Sequence, residues 1–73
     1  MADQEKIYRE AMSAGHSAAW DLEWARAAAH YQEALQAKPQ DYQALTSLGL
    51  AFYELHRFDD ALKKYTEAAK VHP

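Results

Sequence analysis

The chain has 73 residues, with eight Lys plus Arg against eleven Asp plus Glu, a formal net charge of -3 and no cysteine. Its length allows one small domain, expected to span residues 1–73, at the lower limit of what a hydrophobic core alone stabilises. The acidic balance excludes a surface built to neutralise nucleic-acid phosphates or to lie on an anionic membrane, and the lack of cysteine excludes a disulfide framework and a thiolate zinc site.

The amino terminus, MADQEKIY, is too polar for a secretory signal, and no apolar run approaches the roughly 20 residues that span a bilayer. A cytoplasmic protein is the expectation. With only two glycines, two prolines and abundant alanine, helices are expected throughout and strands nowhere. The first helix is predicted from a cap at Asp3 to about Trp20. Its core stripe is thin, namely Ile7, Ala11, Ala14 and Ala18, and Trp20 and Trp24 are expected to fill what the alanines leave open. Glu5 with Arg9 and Lys6 with Glu10 form i,i+4 pairs of opposite charge.

Asp21-Leu22-Glu23 makes a corner whose carboxylates sit at the positive end of the next helix. That second helix runs from about Glu23 to Ala37, with Trp24, Ala27, Ala28, Tyr31, Ala34 and Leu35 on one face, and Pro39 prevents its continuation. Asp41 is the predicted cap of a third helix reaching Glu54 or Leu55, with Leu45, Leu48, Gly49, Phe52 and Leu55 as its stripe. After a corner at His56-Arg57, the fourth helix extends from about Phe58 to Val71. Its stripe reads Phe58, Ala61, Leu62, Tyr65, Ala68 and Ala69. Asp59 and Asp60 in its first turn and Lys70 in its last suit the helix dipole, and Asp59 with Lys63 and Asp60 with Lys64 add two i,i+4 pairs.

Sliding the chain on itself by 34 residues brings Tyr8, Ser13, Gly15, Ala27, Tyr31, Glu33, Ala34 and Pro39 onto Tyr42, Ser47, Gly49, Ala61, Tyr65, Glu67, Ala68 and Pro73. Gly15 and Gly49 fall inside helices, where glycine costs about 0.8 to 1 kcal/mol relative to alanine. Such a cost makes sense where a neighbouring element passes too closely for a side chain. Ala27, Ala61, Ala34 and Ala68 mark further close crossings, with Tyr31 and Tyr65 as the bulk between them.

This period, with small residues at the crossings and a proline after the second helix, resembles the tetratricopeptide repeat family, whose period and signature are general knowledge of repeat proteins. Leu48-Gly49, Phe52, Ala61, Tyr65 and Pro73 match the family spacing in the second unit, and Gly15, Ala27, Tyr31 and Pro39 in the first. Leu45 replaces the usual tryptophan, and Ala11, Ala14 and Ala18 stand where larger residues are usual. The resemblance implies an all-α fold of four antiparallel helices in two helix-turn-helix units, 8–41 and 42–73, stacked as a short right-handed superhelix. It also implies a non-catalytic protein-protein interaction module that holds a peptide or partner helix on a concave face. On this sequence that face would carry Arg9, Met12, His16, Ala19 and Trp20 from the first unit, and Gln43, Thr46, Leu50, Tyr53 and Glu54 from the second. Leu50 is an apolar residue off the core stripe, whereas Trp20 reads as structural and Arg9 as paired with Glu5. Family members that grip acidic carboxyl-terminal tails use lysine and asparagine there. Met12, His16 and a complete lack of asparagine do not support such a clamp.

No enzyme is expected. Ser13, Ser17 and Ser47 lie in no glycine-rich elbow, the four histidines fall on separate segments, and no glycine loop could cradle a phosphate. No metal and no cofactor are expected. The last unit carries Leu55, Leu62, Ala69 and Val71 on a side that a repeat array would cover. Either this chain is a segment, such as the start, of a longer array, or it associates with a second copy or another partner through that face.

Overall fold

A computed structural model describes residues 3–73, so Met1 and Ala2 of the expected domain lie outside the described residues. Among the described residues the chain forms four helices and no strand: α1 (Gln4–Trp20), α2 (Trp24–Ala37), α3 (Tyr42–Glu54) and α4 (Phe58–Val71). None of them is long and apolar enough to cross a membrane.

The odd-numbered helices start on aspartate caps. Asp3 Oδ1 accepts from the amides of Glu5 (3.0 Å) and Lys6 (3.3 Å), and Asp41 Oδ2 accepts from the amide of Ala44 (2.9 Å). The even-numbered helices have no side-chain cap. There an ion pair one turn long takes its place, Glu23 with Arg26 at 2.6 Å on α2 and Arg57 with Asp60 at 2.8 Å on α4. These positions are 34 residues apart with the charges exchanged. The carboxylate expected to face the start of α2 is thus committed to Arg26.

Both corners share one backbone solution. The amide of Glu23 donates to Ala18 O and that of Leu22 to Ala19 O, while Arg57 donates to Phe52 O and His56 to Tyr53 O. This is the paired-bond helix ending that places its following residue in the left-handed region. Leu22 (φ 60°) and His56 (φ 62°) occupy that position although neither is glycine. The α2–α3 connection instead breaks at Lys38 and Pro39.

Packing runs between chain neighbours: α1 on α2, α2 on α3, α3 on α4. The two glycines define how close the helices come. A Cβ at Gly15 would lie 2.5 Å from the Tyr31 ring, and one at Gly49 2.7 Å from the Tyr65 ring. The expected reason for interior glycine therefore holds, and the structure repeats it at the 34-residue period. Alanines at 11, 18, 27, 28, 34, 44, 51, 61 and 68 are buried between larger Tyr8, Met12, Tyr31, Leu45, Leu48 and Phe52. The assembly measures 36 × 30 × 14 Å. Its thinnest direction fits two helix layers, since helices pack with axes about 8–10 Å apart. Every helix keeps one face outward.

Three expectations about packing need correction. On α1 the buried face is Tyr8, Ala11, Met12, Gly15 and Ala18, with Ile7 and Ala14 only partly covered. Trp20 is 88% exposed and fills nothing, whereas Trp24 is packed against the core as expected. None of the four i,i+4 charge pairs closes. Glu5 instead reaches Lys38 at the end of α2 (2.6 Å), and Lys64 lies 3.1 Å from Glu67.

Candidate functional site

The residues expected on the concave face divide by helix. On α3, Gln43, Leu50, Tyr53 and Glu54 are exposed, and Thr46 is half-buried with its hydroxyl donating to the carbonyls of Tyr42 and Gln43. These five positions fall within one side of the helix. Leu50 and Tyr53 are apolar surface there, 44% and 54% exposed.

On α1, Arg9, His16 and Trp20 are exposed and Ala19 is half-buried. Met12 is 6% exposed and belongs to the hydrophobic core, so it is not available to a partner. A thioether chain on this shoulder of the helix lies down against its neighbours, where the shorter Thr46 at the equivalent place stays half-open. Arg9 does not pair with Glu5, whose carboxylate is taken by Lys38. His16 is held: its Nδ1 lies 2.8 Å from the Tyr31 hydroxyl, ring edge against ring.

Tyr31 joins the two faces. Burial pushes its phenol above the ordinary range, with Ser47 of α3 acting in the opposite sense. A second tie lies at the other end of α1, where the Tyr8 hydroxyl donates to Asp41 Oδ2 at 2.6 Å. The same carboxylate oxygen caps α3. Lys38 Nζ sits 4.4 Å from the centre of the Tyr8 ring. Burial, and then the Asp41 carboxylate and Glu5, push the Tyr8 phenol up to about 12. Sequence reading missed this tie because it joins residues that are 33 apart and have no local signature.

The second face, expected at Leu55, Leu62, Ala69 and Val71, is not one surface. Leu55 is partly buried and packed against the core. Val71 lies about half a turn away from Leu62 and lines a shallow cleft with Pro39, Gln40, Leu45, Glu67 and Lys70. Leu62 and Ala69 remain together, and Phe58 and Tyr65 join them in the open. The stripe read on α4 is therefore two stripes. Ala61 and Ala68 go inward, and Phe58, Leu62, Tyr65 and Ala69 line an exposed seam.

At the α3–α4 corner, Phe58 meets Tyr53 edge to face (5.3 Å) and stacks on His56 (5.7 Å, 24°), which links the two exposed surfaces by aromatic contact. Among the described residues no group of three or more His, Asp or Glu side chains is placed to hold a metal ion. Set beside known proteins, the chain matches no family model, no curated protein and no solved structure.

Proposed function

We propose that this chain is a non-catalytic protein-interaction module of the tetratricopeptide type, two antiparallel helix-turn-helix units in a short right-handed stack. It holds a peptide or partner helix along the face shared by α1 and α3. A cytoplasmic setting goes with this reading, given the cysteine-free composition. The observation that carries it is the pair Leu50 and Tyr53, both exposed on a helix whose other apolar side chains are buried or partly buried, apart from Tyr42. Exposed apolar surface rimmed by polar groups is the usual mark of an interaction site. Here Arg9, His16, Gln43 and Glu54 supply that rim.

The test is binding of peptides selected on an array, followed by titration of the best against variants. Leu50→Glu and Tyr53→Ala should each weaken binding about tenfold or more while helicity by circular dichroism is unchanged. Variants that bind every selected peptide as well as wild type would remove this face from consideration.

A further inference from the structure

The exposed seam of α4 has an internal reference. Positions 24, 28, 31 and 35 of α2 correspond by the 34-residue period to Phe58, Leu62, Tyr65 and Ala69 of α4. In α2 this strip is packed, because α3 lies against α2. Ala28 is 6% and Tyr31 3% exposed, whereas Leu62 is 66% and Tyr65 38% exposed. The spacing of the seam, four then three then four, is that of an apolar line along which one helix packs on another.

Two occupants from a second copy are possible, and the residues separate them. The first is α1 of the next copy, stacking head to tail as α3 stacks on α2. On α3 the side away from α4 is Ala44, Ser47, Leu48 and Ala51, three of them buried. The corresponding residues of α1 are Glu10, Ser13, Ala14 and Ser17, with three of the four exposed and Glu10 in place of a fully buried alanine. Head-to-tail stacking would put a carboxylate in an apolar contact with no partner, which is costly. The second occupant is α4 itself. It begins with Asp59 and Asp60 and has Lys70 in its last turn, so an antiparallel copy sets acidic turns against basic ones and opposes the two helix dipoles.

We propose that two copies of this chain pair through α4 about a two-fold axis near Tyr65 and Thr66. In this register Leu62 of each copy rests on the small Ala69 of its partner, and Asp59 approaches Lys70. A closed pair of this kind uses one surface twice and leaves the α1–α3 face free. The proposal does not depend on peptide binding at that face.

The experiment is sedimentation of the whole chain over a wide concentration range, up to high micromolar. A monomer–dimer transition is expected, lost in Leu62→Lys and retained in Leu50→Glu. Because the chain has no native cysteine, Thr66→Cys gives a clean second reading: oxidation should cross-link it to a covalent dimer, while Ser13→Cys on α1 should form no covalent dimer. A wild type that remains monomeric throughout overturns the proposal and gives the seam to another occupant, such as a following segment of a longer chain. A dimer that survives Leu62→Lys, or that cross-links through Ser13→Cys instead, overturns it too.

Discussion

Gly15 and Gly49 occupy equivalent places, yet their surroundings make them respond differently to the same change. Adding a methyl group gains about 0.8 to 1 kcal/mol of helix propensity at either site. At Gly15 the methyl meets the Tyr31 ring, which is buried between α1 and α3 and tied to His16 through its hydroxyl. That ring cannot withdraw, and overpacking of this kind costs about 1–3 kcal/mol. At Gly49 the obstacle is Tyr65, which stands at the open edge and can swing away. Gly15→Ala is expected to lower stability in urea titration by about 1 kcal/mol net, and Gly49→Ala to stay within about 0.5 kcal/mol of wild type. Equal losses at both positions would show that Tyr65 is as confined as Tyr31.

The helix ends are the next scale. Left-handed backbone costs a non-glycine residue roughly 1–2 kcal/mol, and Leu22 bears that cost with most of its side chain in water. Leu22→Gly relieves it, against about 0.4–1 kcal/mol for the looser unfolded chain. A rise in thermal midpoint of a few degrees is expected, because about 1 kcal/mol moves a domain of this size by roughly 4–8 °C. A fall would mean that the Leu22 side chain contributes packing of its own. Helix limits were legible in the sequence to within a residue, since aspartate caps, Pro39 and the spacing of apolar residues act locally. Which apolar residues turn inward was not so legible on α4. A stripe of Phe58, Ala61, Leu62, Tyr65, Ala68 and Ala69 is continuous on paper, and only the neighbour on one side decides that Ala61 and Ala68 are buried and the other four are not. Met12 failed for the converse reason: a position on the outer shoulder of α1 was judged by its angle, and a flexible chain bent back to the core.

At the scale of the whole molecule, a slab 14 Å thick has little interior and depends on ties between its helices. The Tyr8 to Asp41 bond is one, joining the start of α1 to the start of α3. The folded pKa of Tyr8, about 12, lies above the ordinary value of 10.0. The stabilisation from its protonated phenol is therefore complete below pH 10 and is lost as pH rises through about 12. Tyr31 and Tyr65 are raised in the same direction, so wild type should lose stability steeply over this window. Tyr8→Phe is expected to be less stable at neutral pH by about 1–2 kcal/mol, for a bond to a charged acceptor. Its midpoint in urea should also fall less between pH 10 and 12 than that of wild type. Parallel falls in the two proteins would assign the alkaline loss to other groups.

A tyrosine ring lying where a glycine leaves room turns two positions into one inherited choice. Wherever descendants of this gene exist, a bulkier residue at 15 should travel with a slimmer one at 31, and likewise 49 with 65, so that each couple drifts jointly while its neighbours drift alone.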